Sequence, residues 1–215
     1  MARTFYSLLA RLTQRGILIS MDFSNVPKHY AARTHEKMQE VLLHPELPGP
    51  SVHYYMIRGG TDQRNITVWE PGLVGDEYIK TYGHYHIGDL DETYWILLGE
   101  GIILRQKMGA TPGVIEEFTA VPVKAGDEVY MPSGHGHLAV NTGKTYFVTA
   151  DDSPVHFDDP DPAGLPGHAD YGLVKQMKGF AYYVVERDGK PALLRNPLYT
   201  EIQKEDFGGL PVTQQ

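Results

Sequence analysis

The sequence predicts an all-β fold, a sandwich or barrel, on three observations. From residue 52 onward, short runs rich in β-branched and aromatic residues alternate with turn signals. The runs recur roughly every 8–12 residues, the spacing of a sandwich or barrel. Gly 23, Pro 15 and Tyr 14 weight the composition toward turns and strands rather than long helices.

Two short helices precede the strands. Phe5, Leu8, Leu9 and Leu12 fall at helical spacing over 4–15. A second helix follows Thr34 as N-cap, with Met38, Val41 and Leu42 as its apolar face. After "HPELPGP" the strands run over 52–58, 65–70, 76–82, 93–99, 101–107, 114–120, 127–132, 138–141 and 145–150. "AYYVVER" followed by "DGK" reads as a late hairpin on an Asp-Gly turn. Between them lies "DDSPVHFDDPDPAGLPGHADYG", too irregular for a strand and either a lid or a surface excursion. The chain is thus one domain: a helical extension over 1–49, packing on the barrel or on a partner subunit, and the barrel with its hairpin over 50–215.

Composition narrows the chemistry. The net charge is −8 and no Lys/Arg cluster occurs, so no nucleic acid is expected as partner. There is no cysteine, which excludes disulfides, thiolate metal ligands and a Cys nucleophile. The N-terminal apolar run is interrupted by Arg11 and Arg15 and is too short for a signal core, and no run has the length of a membrane span. A cytoplasmic protein without membrane contact is the expectation.

Against that background the stretch "TYGHYHIGDLDETYWILLGEG" stands out. On a strand, residues i and i+2 share a side about 6–7 Å apart, so His84 and His86 aim at one point with Tyr85 turned away. A divalent ion taking nitrogens at about 2.0–2.2 Å fits between them. Glu92 follows at the start of a strand, and a hairpin return brings its carboxylate back; Asp89 and Asp91 are rivals that sit in the turn. Downstream, "GDEVYMPSGHGHLAVN" carries a second pair, His135 and His137, after a Pro-Gly corner. The remaining histidines weighed, His29, His35, His44, His53 and His156, read as ordinary solvated or backbone-bonded side chains. Imidazoles and a carboxylate without thiolate suit Fe(II), Mn, Ni, Co or Zn.

These motifs resemble the cupin superfamily. Glu92, six residues and Gly99 match the end of the first cupin motif, where a His-x-His pair precedes the Glu. Gly126, five residues, Pro132, Ser133, Gly134, two residues, His137, three residues and Asn141 match the second. The resemblance implies a double-stranded β-helix, the jelly-roll barrel, and the ligands His84, His86, Glu92 and His137, with His135 outside the motif.

A narrower resemblance covers roughly residues 50 to 200. "TVWEPGLVGDEYIKTYGHYH" and "GHADYGLVKQMKGFAYYVVERDGKPALLRNPLY" are similar to segments of the cupin-type glucose-6-phosphate isomerases of archaea and some bacteria. It implies a phosphate held near Thr67, Thr81 and Gly83, with Tyr94, His168 and Tyr171 facing a phosphorylated hexose. For the proton transfer Glu92 is the natural base, or it holds the metal while Tyr94 or a histidine shuttles the proton, and a metal-assisted hydride shift needs no base. One divalent ion per subunit, with Fe(II) first among the candidates, and a homodimer complete what the resemblance implies. Here the loop before Glu92 is shorter than in those enzymes, and Ala169 separates His168 from Asp170. The competing expectations are another metal-dependent cupin enzyme, a dioxygenase or a different sugar isomerase, and a non-catalytic sugar-binding cupin.

Overall fold

The computed structural model describes residues 30–59, 65–156, 162–165 and 167–214, so the helix expected over 4–15 lies outside it. In chain order come β1 (Tyr30–Thr34), α1 (His35–Met38), β2 (Val52–Ile57), β3 (Asn65–Trp69), β4 (Leu73–Val74), β5 (Glu77–Tyr78) and β6 (Tyr85–His86). Then follow β7 (Glu92–Leu98), β8 (Glu100–Met108), β9 (Val114–Lys124), β10 (Glu128–Met131), β11 (His135–Asn141) and β12 (Phe147–Asp151). The chain closes with β13 (Ala169–Asp170), α2 (Gly172–Gln176), β14 (Tyr182–Arg187), β15 (Lys190–Arg195), β16 (Glu201–Ile202), β17 (Glu205–Asp206) and β18 (Val212–Thr213). Among these residues no helix is long and apolar enough to cross a membrane.

Two sheets form the body. One runs β1-β2-β3-β12-β7-β10 and the other β11-β8-β9-β16. From β7 to β12 the chain passes from the first sheet to the second for β8 and β9, back for β10, across for β11 and back for β12. That winding is the cupin double-stranded β-helix. Trp69, Phe118, Phe147, Ile102, Ile103 and Leu104, from both sheets, belong to one buried core. The late hairpin forms as expected: Arg187 pairs with Lys190 around Asp188 and Gly189, both at positive φ (51° and 73°), the backbone of a two-residue turn.

Thr34 caps α1, its side chain accepting the Lys37 N–H at 3.3 Å. The helix lasts only four residues, yet Met38, Val41 and Leu42 are buried as its apolar face requires. Met38, Val41 and Leu42 belong to the same buried core cluster as the strands, and β1 adds an edge strand to β2 that the sequence does not announce.

The strand expected over 76–82 is reduced to Glu77–Tyr78. Tyr78, Ile79, Lys80 and Tyr82 are all buried, so this stretch lacks the in-out alternation of a half-exposed strand and threads through the interior instead. Lys80 is 3% exposed and pairs with the equally buried Glu77, donating also to the Val41 carbonyl at 2.7 Å.

Register fixes which side chains face the inner layer. Tyr54 lies opposite Trp69, Met56 opposite Thr67, and Thr67 opposite Thr149. Asn65 lies opposite Asp151, which in turn pairs with Tyr94, two residues after Glu92. At the other edge Arg33 lies opposite Tyr54. Because side chains alternate along a strand, Arg33, Tyr54, Met56, Thr67, Asp151, Tyr94 and Glu92 share the inner face.

Candidate metal centre

His84 and His137 meet across an isolated antiparallel bridge, exchanging backbone hydrogen bonds of 3.2 and 3.0 Å. Their rings stand 4.5 Å apart, and His86, one residue beyond the intervening tyrosine, brings its ring to 4.8 Å from that of His84. Glu92, at the head of β7, is 2% exposed, and its Oε2 lies 3.1 Å from His86 Nε2 and 3.0 Å from His137 Nε2. One ligand atom from each of these four residues lies within 4.8 Å of the others.

Local chemistry explains how the chain achieves this. Tyr85 turns away as expected and lies over Gly136, where an added Cβ would stand 2.6 Å from the ring; glycine between the two downstream histidines is a packing requirement. Gly83 takes φ +82°, and a Cβ there would meet Phe180 at 2.8 Å. Asp89 and Asp91 do not join the cluster. Asp91 accepts the Ser133 N–H at 2.8 Å and Asp89 the Ser133 hydroxyl at 3.3 Å, so the two carboxylates bind the Pro-Ser-Gly corner to the 87–91 turn. His135 also lies outside, its Nδ1 near the Ser133 carbonyl at 3.2 Å. Asn141 is fully buried and bonds the Glu70 and Thr145 carbonyls, a structural role.

The donor set fits a divalent ion. Nδ1 of buried His137 lacks a hydrogen-bond partner among the described residues, and its Nε2 faces Glu92 Oε2 at 3.0 Å without the alignment of a hydrogen bond, a costly state for a protein-only site. His86 Nδ1 is 2.8 Å from the Gly167 carbonyl, which fixes its proton there and leaves Nε2 as the ligand atom. Burial, then the neighbouring His137 and His86, hold His84 well below the usual imidazole range and keep it neutral. Burial would raise Glu92, but His137 and His86 outweigh it and hold the carboxylate well below its usual range. For His86 burial pulls downward, and the Glu92 carboxylate reverses the sign.

The other expected residues surround this cluster. Tyr94 sets its ring 5.4 Å from that of His137, and Tyr171 sets its ring 5.6 Å from that of His84. Burial first, then the charges of Glu92 and Asp151, keep the Tyr94 hydroxyl protonated. Thr81 accepts the Ala139 N–H at 3.0 Å, which leaves its own hydroxyl proton to donate. The N–H groups of Thr81, Tyr82 and His84 are engaged, while that of Gly83 is left over among the described residues. Thr67 is buried on the sheet floor beside Thr149. His168 is joined to the site through its backbone, its carbonyl accepting the Ile87 N–H at 2.9 Å; no ring contact links it to the cluster among the described residues.

Several residues of the inner face are not announced by the sequence. Asp151 is buried, its Oδ1 accepting from Asn65 (2.6 Å) and Ser153 (2.7 Å), with the Arg58 guanidinium 3.6 Å from Oδ2. Burial, then Glu92, pushes this carboxyl up to about 6 against the opposing pull of Arg58, Asn65 and Ser153. Arg33 and Tyr54 were missed as well. The available signal was alternation: Tyr54, Met56 and Arg58 fall on one face of the 52–58 run, and an arginine on an otherwise apolar face calls for a partner.

Comparison with known proteins agrees with this geometry. A family model described as "Glucose-6-phosphate isomerase (GPI)" matches residues 55–197. Proteins named glucose-6-phosphate isomerase are similar in sequence: that of Thermococcus gammatolerans is 36% identical over 135 residues, covering 62% of each chain. That of Thermococcus litoralis is 39% identical over 132 residues, covering 61% of this chain and 60% of the relative. The matched stretch thus spans somewhat under two thirds of the curated relatives' length. Solved structures overlap more loosely. A predicted oxalate decarboxylase from Thermotoga maritima is 24% identical with TM-score 0.33, covering 46% of this chain and 76% of that one. The capsular polysaccharide assembling protein CapF from Staphylococcus aureus is 20% identical with TM-score 0.38, covering 50% and 30%. With more than half of its length, and all four converging side chains, inside the family match, the chain belongs to the glucose-6-phosphate isomerase family.

Proposed function

We propose that the protein interconverts glucose 6-phosphate and fructose 6-phosphate at the His84, His86, Glu92 and His137 cluster, loaded with one divalent ion. The observation that carries this reading is the convergence of three imidazoles and a buried carboxylate in a chain of that family. A bound divalent ion supplies a Lewis acid for the sugar's O1 and O2.

The side chains divide the remaining work. Glu92 turns Oε2 toward both imidazoles, which leaves Oε1 to act on the substrate. In the aldose-to-ketose direction Oε1 accepts the C2 proton, the C–H electron pair becomes the C1=C2 bond of an enediolate, and the C1=O π pair moves onto O1. A proton passes from O2 to O1, and as C2=O forms the C1=C2 pair takes the carbon-bound proton back from Glu92 at C1. Tyr94, protonated and beside His137, donates to the sugar oxygen that gains charge. The Thr81 hydroxyl, the Gly83 N–H and the Thr67 hydroxyl supply neutral donors to the phosphate. Tyr171 bounds the sugar next to His84, and His168 closes the same side from the segment that also holds His86.

The test is a coupled assay with fructose 6-phosphate after EDTA treatment, with Fe(II), Mn, Ni, Co or Zn added back singly; Fe(II) is expected to restore most activity. Failure of every ion, in protein that still binds one, removes the isomerase reading. In D2O, deuterium entering at the transferred position supports Glu92 as base, whereas full retention of hydrogen indicates a direct hydride shift. The cytoplasmic location expected from the sequence and the homodimer implied by the resemblance stay part of this proposal. Sedimentation should show one species of twice the 24.1 kDa chain mass.

A further inference from the structure

We propose that Arg33 is a phosphate-binding residue of this site, recognising the phosphoryl group of the substrate from the edge strand β1. The inference rests on the isomerase reading for the identity of the phosphate ester, and on the geometry alone for the anion.

Arg33 reaches the inner face opposite Tyr54. Its Nε donates to the Tyr54 hydroxyl at 3.1 Å, and the same hydroxyl accepts the Tyr82 N–H at 3.2 Å. One hydroxyl therefore separates the guanidinium from the Thr81–Gly83 backbone, the segment that offers a hydroxyl proton and an unused N–H. On its other side Arg33 Nη2 stands 3.5 Å from the Tyr171 hydroxyl, and the Tyr171 ring touches His84. Tyr171 thus stands between the guanidinium and His84.

Among the described residues the guanidinium also lacks a counter-charge. Its Cζ lies 5.9, 5.8 and 5.4 Å from the rings of Tyr54, Tyr82 and Tyr171, and no carboxylate of a described residue stands within 4 Å. Glu40, which lines the adjoining cavity, is engaged by Lys37 and Lys175, each at 2.8 Å, and by the Tyr82 hydroxyl at 2.7 Å. A cavity of about 130 Å³ opens among these groups, lined by Arg33, Lys37, Glu40, Tyr82, Tyr171 and Lys175. A partly desolvated cation without an anion is costly, and a dianion arriving in that space receives a planar fork of donors. The alternative is that Arg33 only staples β1 to three aromatic rings, which would give it a role in stability and none in binding.

The experiment uses metal-loaded protein as wild type, Arg33→Ala and Arg33→Lys. Calorimetry gives Kd for inorganic phosphate and for 6-phosphogluconate, alongside KM and kcat for fructose 6-phosphate, metal content and melting temperature. We expect Arg33→Ala to weaken both ligands and raise KM by about 10-fold or more, with a smaller change in kcat and metal content as in wild type. Arg33→Lys should fall between. Ligand affinities within threefold of wild type in a folded variant would overturn the proposal in favour of the staple. Should Arg33→Ala fail to fold, Arg33→Lys decides by the same criterion. Wild-type protein that binds both anions through Arg33 yet turns over no sugar phosphate would sink the isomerase reading and leave the anion site standing. Normal turnover and binding in the variants would do the reverse.

Discussion

Thr81 is engaged twice, and that makes it informative. Its hydroxyl oxygen already accepts from the fully buried Ala139 N–H, so only its proton is available to a ligand. Thr81→Val should therefore raise KM for fructose 6-phosphate roughly 10-fold and also cost about 1–3 kcal/mol of stability, because the Ala139 donor loses its partner. Steady-state kinetics and urea unfolding on the same variant check both halves. Asp151 gives a pH prediction. Its carboxyl is pushed up to about 6, above the unfolded value near 3.9, so the folded state holds this proton more tightly. Its favourable contribution is present below pH 4 and is lost as pH rises through about 6. In metal-free protein, Asp151→Asn should gain stability relative to wild type across that window, measured by denaturant midpoints at each pH; parallel curves would contradict the assignment. At this scale the sequence revealed the histidines because His-x-His between glycines is a rare local pattern. Arg33 and Asp151 were hidden because their proximity to the site arises from register between strands distant in sequence.

Among the elements, long strands were legible and short ones were not. Runs such as Thr93–Gly99 and Gly101–Lys107 reappear as β7 and β8 with shifts of a residue or so, since several residues of alternation define a face. β6, β13, β16, β17 and β18 have two residues each and carry no period to read. The interior thread after β5 was misread for the opposite reason: its residues are nearly all buried, so polarity does not alternate. Lys80 in that thread binds the Val41 carbonyl and Glu77, while Glu77 also accepts the Leu43 N–H at 2.8 Å, so this pair joins the segment after α1 to the barrel. Lys80→Met should cost about 3–5 kcal/mol, because it strands a buried carboxylate. Guanidinium unfolding would show it; a loss under about 1 kcal/mol would contradict the pairing as the anchor of this segment.

For the whole molecule, the four candidate ligands come from both halves of the β-helix, so an ion that bound them would oppose unfolding of the entire domain. With free ion at 1,000-fold its Kd, the gain is about 4 kcal/mol. At roughly 2–4 °C per kcal/mol for a chain of this size, EDTA should lower the melting temperature by about 10 °C. His84→Ala should melt at the same temperature with and without EDTA, and its metal content should fall with its activity. A calorimetric scan of both proteins, paired with elemental analysis, checks this.

The backbone bridge between His84 and His137 has a consequence for descent as well. Two of the three imidazoles hang from amides that are hydrogen-bonded to each other, so their separation does not depend on the lengths of the loops between them. Insertions in the 87–91 turn or beyond β12 can therefore accumulate without parting those two rings. Changes at the rim can therefore leave the two paired rings where they are.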